Sequence, residues 1–126
     1  MRVLWVVLFC LLLFFGLAIA AQFYLQDSAR KINMLLEPVD SYINQKQWTA
    51  AGENLHKVSR KWEKNRFIWG LIVDHWEIDN IDVAIRRLNK YIQTKSRVDA
   101  LAEFATLKQA VNHIPEKETL SWESIF

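Results

Sequence analysis

The stretch GLAIAAQFY, Gly16–Tyr24, decides how the start of this chain is interpreted. It closes an apolar run, Val3 to Ala21, that contains no charged residue. At a rise of about 1.5 Å per residue, a helix of that length crosses roughly the ~30 Å hydrocarbon layer of a bilayer. The same stretch carries the Ala18-Ile19-Ala20 pattern that a signal peptidase accepts. The run is therefore either a retained anchor or a signal peptide that is removed.

The length of the apolar run favours retention, because the apolar core of a signal peptide is usually about 7 to 15 residues long. Trp5 near one end and the Phe23-Tyr24 pair past the other match the aromatic belts of the two membrane interfaces. Basic residues flank the run on both sides, but the very short tail before it favours an amino terminus inside the cell. We therefore expect contact with the lipid bilayer through residues 3–21. The prediction is a single-pass protein of the cell membrane whose C-terminal domain lies outside the cytoplasm.

Composition limits the possible functions of the domain downstream of the apolar run. The single cysteine, Cys10, lies within that run, so the downstream domain has no disulfide, thiolate nucleophile or cysteine-ligated zinc. The net charge of +2 gives no reason to expect a nucleic-acid partner. No nucleophile elbow and no phosphate-binding glycine loop occurs. We expect no cofactor and no enzymatic activity.

Three stripes of apolar residues at helical spacing follow the apolar run. They are Trp48, Ala51, Leu55, Val58 and Trp62; Ile78, Ile81, Ile85, Leu88 and Ile92; and Phe104, Leu107, Val111 and Ile114. Each stripe covers one face of a helix, so the three faces need mutual burial. No segment alternates as a strand does. The sequence predicts an all-α fold, with an N-terminal transmembrane helix followed by an antiparallel helical bundle of about four helices.

These patterns divide the chain into three parts. Residues 1–21 form the transmembrane signal anchor, and residues 22–115 form the extracytoplasmic helical bundle. Residues 116–126 form an apolar C-terminal tail that we expect to pack on the bundle, since a free tail is rarely so apolar.

Proline and capping residues predict where the helices begin and end. A first helix should end or kink at Pro38, and Pro115 should end the last one. The segment Asn65–Gly70 is predicted to link the Trp48 helix to the Ile78 helix. Ser96 to Asp99 reads as a capping box that starts the last helix.

Two runs of like charge lie on either side of that predicted link. The basic run is Lys57, Arg60, Lys61, Lys64 and Arg66, and the acidic run is Asp74, Glu77, Asp79 and Asp82. An antiparallel hairpin would place the two runs side by side, with each complementing a helix dipole. Contact between the basic run and anionic lipid or a wall polymer is the alternative.

One group of residues is the candidate face for a ligand or partner: Trp69, His75, Trp76, Glu77 and Asp79. Trp69 and Trp76 differ by seven positions, which predicts a shared face on the third helix. His75 and Asp79 share a helix face at a spacing that can hold a metal ion, with Asp82 one turn further on. A single histidine with carboxylates is not a specific site, so we predict no metal site and no catalytic residue.

Trp48, Ala51, Gly52 and Leu55 fall at the positions of the first helix of a tetratricopeptide repeat. The pattern does not recur thirty-odd residues later, so we expect one helical hairpin of this kind and no repeat array.

The chain as a whole resembles domain-of-unknown-function family 4363, a family of small single-span bacterial membrane proteins. The resemblance rests on the N-terminal anchor, on Trp48-Thr49-Ala50-Ala51 and Trp62, on Asp74 to Ile81, and on the closing Ser121 to Phe126. It implies no established activity. It also implies that the protein occurs together with larger, multi-span membrane proteins.

Two functional hypotheses remain. In the first, the bundle is an interaction or accessory module that docks on a membrane-protein partner or on a second copy of itself through its tryptophan-rich face. In the second, it is a sensor-like bundle that binds a small ligand or cation between helices, near His75, Glu77 and Asp79. An exported hydrolase would need a nucleophile or metal site that these residues do not assemble.

Overall fold

The structure of the protein is a computed structural model that describes the backbone of residues 1–125 and the side chains of residues 1–115. It contains four helices: α1 (Arg2–Asn44), α2 (Trp48–Ile72), α3 (His75–Gln93) and α4 (Arg97–Ile125). The connections between them are short, so consecutive helices run antiparallel. Contacts join α1 to α2, α2 to α3, α3 to α4 and α4 back to α1. The all-α prediction is confirmed, and the arrangement is a four-helix bundle with an N-terminal extension.

The core contains all three stripes that the sequence spacing identified, with only Trp48 at its half-buried edge. The second half of α1 adds a fourth stripe of buried apolar residues: Leu25, Ala29, Ile32, Leu36, Val39 and Ile43. Burial of one such Leu or Ile side chain contributes about 1.5 to 3 kcal/mol to folding. The bundle is therefore held mainly by apolar packing of one stripe from each helix.

Helix α1 serves both parts of the molecule without interruption. Its first half, Val3 to Ala21, is exposed almost throughout, and its second half lies in the bundle. The helix does not end at Pro38, which lies inside it two residues after the buried Leu36. Tertiary packing on both sides of this proline outweighs the local preference for a break.

The predicted link at Asn65–Gly70 is wrong, because this segment lies inside α2. Asn65 is buried at 9% exposure and bonds back to the carbonyl of Lys61 in the preceding turn. Trp69 is fully buried and continues the α2 stripe. Core packing thus extends the helix through Asn65 and Gly70, although asparagine and glycine usually favour loops. The real connection to α3 is Val73 with Asp74.

Pro115 does not end the last helix either, since α4 continues to Ile125. A proline inside a helix removes one backbone hydrogen bond and crowds the preceding turn. Here the carbonyl of Pro115 accepts a hydrogen bond of 3.1 Å from Nε2 of Gln22 on α1. The predicted packing of residues 116–126 on the bundle lies outside the side chains that the structure describes.

The turns α1–α2 and α3–α4 have the same backbone construction. Lys46 and Lys95 each adopt a left-handed conformation, with φ of 59° and 57°. The amide after each lysine donates to a tyrosine carbonyl, Gln47 to Tyr42 and Ser96 to Tyr91. The bundle is therefore built of two similar helical hairpins, α1–α2 and α3–α4. The sequence signal for this likeness is Tyr-Ile-x-x-Lys, present at Tyr42–Lys46 and Tyr91–Lys95, at a period longer than the roughly 34 residues of a tetratricopeptide repeat.

The start of α4 confirms Ser96 to Asp99 as a helix N-terminus. The amide of Ala100 donates to the carbonyl of Ser96, and the Ser96 hydroxyl donates to Oδ2 of Asp99 at 2.6 Å. The serine side chain therefore donates to the Asp99 carboxylate, whereas the predicted capping box has it accept a hydrogen bond from a backbone amide.

We expect glycine at either left-handed position to stabilise the protein. A non-glycine residue there costs about 1 to 2 kcal/mol, and glycine loses about 0.5 to 1 kcal/mol more entropy on folding. Lys46→Gly and Lys95→Gly should each raise the free energy of unfolding by about 0.5 to 1 kcal/mol. Urea unfolding in mild detergent, followed by circular dichroism, measures the change. Equal stability of Lys46→Gly and Lys46→Ala would contradict the expectation, because alanine keeps the steric penalty.

Candidate functional site

The end of the bundle nearest the apolar run holds the residues for which the sequence suggested function. Two hydrogen bonds fix this end: the Tyr24 hydroxyl donates to Oδ1 of Asn65, and Nε1 of Trp69 donates to Oγ of Ser28 at 2.7 Å. The C-terminal part of α2 therefore lies beside the first turns of α1 after the apolar run. The α2–α3 turn and the start of α3 lie at the same end of the bundle.

Trp69 is a core residue. Its side chain has no exposed surface, and it meets Trp62 edge to face with ring centroids 5.3 Å apart. Trp69 and Trp76 also lie on different helices, α2 and α3, so the prediction that they share a face of the third helix is wrong. The error follows from the misplaced link, because α2 ends at Ile72 and not before Trp69.

Asp82 joins α3 to α2 at this end of the bundle. Its Oδ1 accepts a hydrogen bond of 2.7 Å from Nε1 of the buried Trp62. Both of its oxygens accept hydrogen bonds from the Arg66 guanidinium. Oδ2 accepts from Nε at 2.9 Å and from Nη2 at 2.8 Å, and Oδ1 accepts from Nε at 3.2 Å. Arg66 and Asp82 therefore join the two charge runs across a helical hairpin, as the sequence predicted. This pairing gives Asp82 a structural role. The basic run lies inside α2, whose last turn has no basic residue, so the prediction that this run complements a helix dipole is wrong.

Partial burial opposes ionisation of Asp82, but hydrogen bonds from Arg66 and Trp62 outweigh it, so the pKa of this carboxyl lies below its usual value of 3.8. A lowered pKa stabilises the fold at every pH above the unfolded value. That stabilisation disappears as the pH falls through the lower, folded-state value.

We therefore expect the protein to lose stability on acidification below about pH 4, with part of this loss due to Asp82. Asp82→Asn should be less stable than the unaltered protein at neutral pH and should show a smaller further loss in acid. Thermal unfolding in mild detergent at neutral and acidic pH measures both effects. An identical loss in acid for the two proteins would assign it to other carboxylates.

The remaining candidate residues differ in exposure. His75, Trp76 and Asp79 are exposed, and Glu77 is half buried. Among the residues whose side chains are described, no group of three His, Cys, Asp or Glu residues could hold a metal ion. His75 and Asp79 therefore lack the third ligand that a metal site would need from Asp82, whose oxygens are taken by Arg66 and Trp62.

A shallow groove of about 400 Å³ runs between α3 and α4. Trp76 and Glu77 stand at one end of it, and His113 contributes from α4. An ion pair of 3.8 Å between Arg87 and Glu103 crosses it. The groove offers groups of both charges to a polar ligand, whereas His75 and Asp79 do not line it.

The sequence reasoning missed two exposed residues at this end, Phe67 and Leu71. They are four positions apart on the outer face of α2, away from the buried stripe of Trp62 and Trp69. Their signal was available, because two large apolar residues off the core stripe are unusual at the end of an otherwise basic face. The wrongly predicted link at Asn65–Gly70 assigned Phe67 to a loop, so Phe67 and Leu71 were not recognised as neighbours on one helix face.

Among the described residues, α1 is the one helix long and apolar enough to cross a membrane. None of its most apolar segment is buried inside the protein. The segment therefore has apolar surface on all sides, which is the property that a lipid environment accommodates.

Comparison with known proteins gives one match. A family model described as a domain of unknown function (DUF4363) matches residues 19–125. The match covers the whole bundle and begins near the end of the apolar run. Neither the curated proteins nor the solved structures contain a match to this chain.

Proposed function

The chain belongs to the family of the domain of unknown function DUF4363, and we propose that it is a membrane-anchored, extracytoplasmic accessory module that docks on a membrane-protein partner. Residues 3–21 would cross the bilayer of the cell membrane once, and the bundle would stand outside the cytoplasm. In this proposal the protein contributes binding and positioning, and it catalyses no reaction.

One observation carries the proposal: α1 continues from its exposed apolar half into the bundle without a break. A domain that only needs to stay near a membrane can be tethered by a flexible linker. A continuous helix instead holds the bundle at a fixed height and tilt relative to the span. Such a geometry suits a module that presents one side of itself to a neighbour in the same membrane.

The second candidate function, a ligand sensor, is supported by the α3–α4 groove. Glu77, Glu103 and His113 line it with groups that suit a small cationic or polar ligand. Zn²⁺ or Mg²⁺ titration, followed by thermal unfolding, tests the cation form of this alternative. A rise in melting temperature that Glu77→Gln abolishes would favour the sensor over the accessory module.

The anchor and its orientation can be tested together on the native protein. We expect the full-length mass in membranes after carbonate extraction, and digestion of the bundle by protease added outside the cell. A mass that begins at Ala21, with release of the protein, would refute the anchor. Protection of the bundle until the cells are opened would refute the orientation.

The partner can be tested by crosslinking in living cells. A photoreactive amino acid at the exposed Asp79 position, on the candidate face, should give an adduct with an integral membrane protein or with a second copy of the chain. The matched control is the same amino acid at Val98, which is 77% exposed at the opposite end of the bundle. Equal labelling from both positions, or none from either, would contradict a specific docking face.

A further inference from the structure

We propose that the membrane end of the bundle is itself a lipid-contact surface, on which Phe67, Leu71 and Trp76 enter the interfacial layer of the bilayer. We name these three residues the proximal collar. This inference rests on the proposed anchor, because the apolar half of α1 must lie in the membrane for the collar to meet lipid.

The collar consists of large apolar side chains that the fold leaves in solvent. Phe67 is 75% exposed, Leu71 is 72% exposed and Trp76 is 71% exposed. Single exposed apolar residues are ordinary on protein surfaces, but three large ones at the end of the bundle that adjoins an apolar span suit a contact surface. Tryptophan and phenylalanine are also the residue types that favour the boundary between water and lipid.

The position of the collar along α1 follows from contacts within the bundle. The bonds from Tyr24 to Asn65 and from Trp69 to Ser28 place this part of α2 beside α1, just after the apolar run. Helix α2 continues three residues beyond Trp69, which is about 4.5 Å of further descent. Leu71 therefore comes within about one and a half helical turns of the level of Ala21.

The outer face of α2 also changes character toward the membrane. At spacings of three and four, this face carries the exposed residues Lys57, Arg60, Lys64, Phe67 and Leu71 in chain order, together with two exposed acids, Glu53 and Glu63. No ion pair joins the first three to another described residue. The face is thus basic away from the membrane and apolar next to it, which is the order that a bilayer with anionic head groups would meet.

The distances fit an interfacial position. Lys64 and Leu71 are separated by about 10 Å along the helix axis. The head-group layer on each side of the hydrocarbon is about 5 to 8 Å thick. With Leu71 at the hydrocarbon boundary, the Lys64 side chain reaches the phosphates. Asp74 and His75, both exposed at the turn, oppose deeper insertion of the α2–α3 turn because a polar or ionisable group is costly further in.

A bilayer fits this surface better than a protein partner for a reason of geometry. Leu71 lies near the level at which the exposed apolar half of α1 ends, and the unbroken helix brings it to the same height wherever that half is inserted. Lipid contact would also fix the tilt of the bundle, because the span and the collar would make two separate attachments to one membrane.

The experiment uses the full chain in nanodiscs that contain phosphatidylglycerol and phosphatidylcholine. With Cys10→Ser as background, single cysteines at Phe67, Leu71 and Val98 carry an environment-sensitive fluorophore. At Phe67 and Leu71 we expect blue-shifted emission, with strong quenching by bromine atoms on the lipid chains at Leu71 and weaker quenching at Phe67, which lies about 6 Å higher. At Val98 we expect emission typical of water and no such quenching. Leu71 emission as water-like as that of Val98 would overturn the proposal.

Two further measurements separate the possible failures. Release of the labelled protein by carbonate would show that the anchor itself is absent, and so would refute the proposed function. Blue-shifted emission at Leu71 without quenching by brominated lipid would place a protein surface over the collar, and so would refute lipid contact alone.

A helical insertion supplies a second variant. Seven helix-forming residues inserted between Ala21 and Gln22 raise the bundle by about 10 Å and turn it by only about 20°. The Leu71 label should then lose both its blue shift and its quenching, while carbonate resistance persists. Unchanged quenching in this variant would contradict the predicted height of the collar.

Discussion

Replacing Trp69 with alanine should lower the free energy of unfolding by about 3 to 5 kcal/mol, the range for removal of a large aromatic side chain from a packed core. Trp69 has no exposed surface and makes an edge-to-face contact with Trp62. The variant loses the buried indole surface and the contact with Trp62, and it leaves a cavity between α1 and α2. Its indole N–H leaves with it, and Ser28 still donates to the carbonyl of Tyr24, so no buried donor is left unpaired. Urea unfolding in mild detergent measures the loss.

Trp76→Ala is the matched control, because it removes the same side chain from an exposed position. We expect a change within about 0.5 kcal/mol. Ser28→Ala tests the hydrogen bond separately, since it leaves the buried N–H of Trp69 without its acceptor at a cost of about 1 to 3 kcal/mol. Similar losses for Trp69→Ala and Trp76→Ala would contradict the assignment of one tryptophan to the core and the other to the surface.

These two tryptophans also show what the sequence could predict. Apolar spacing identified the core faces of α2, α3 and α4, because each repeats through three or more turns. The spacing stopped being informative at Asn65, a polar residue in phase with the α2 stripe. Only the fold reveals that its amide is paired with Tyr24 and with Lys61, so that a buried asparagine continues the helix. The location of Trp69 depended on that single residue.

Helix boundaries at proline were predictable only in part. Local geometry disfavours a helix through Pro38 or Pro115, and a prediction from sequence must respect that preference. Packing between distant parts of the chain outweighs it at Pro38, where a buried stripe continues on both sides. At Pro115 the helix also continues, and Gln22 of α1 bonds to the proline carbonyl. The predicted candidate face is also split between two helices, with Trp69 on α2 and the other four residues on α3. Its residues were adjacent in sequence, but the α2–α3 turn falls between them.

The second large effect concerns the apolar run, where Leu8→Arg combined with Leu12→Arg should remove the protein from the membrane. Between Val3 and Ala21 there are about a dozen Leu, Ile, Val and Phe residues, each favouring insertion by about 0.3 to 0.6 kcal/mol. Their sum is on the order of 4 to 7 kcal/mol, whereas one central arginine costs about 2.5 to 3.5 kcal/mol. One arginine is therefore tolerated, and two approximately cancel the driving force.

We accordingly expect Leu12→Arg alone to stay resistant to carbonate extraction, and the double variant to be extracted. The double alanine variant, Leu8→Ala with Leu12→Ala, is the control because it removes the same side chains without adding charge. Both positions are exposed in the structure and contact no part of the core, so the melting temperature of the bundle should be the same in all four proteins. A double arginine variant that remains in the membrane would show that the bundle holds the protein there without the span. A variant that also unfolds would show that the apolar half of α1 supports the fold as well as the anchor.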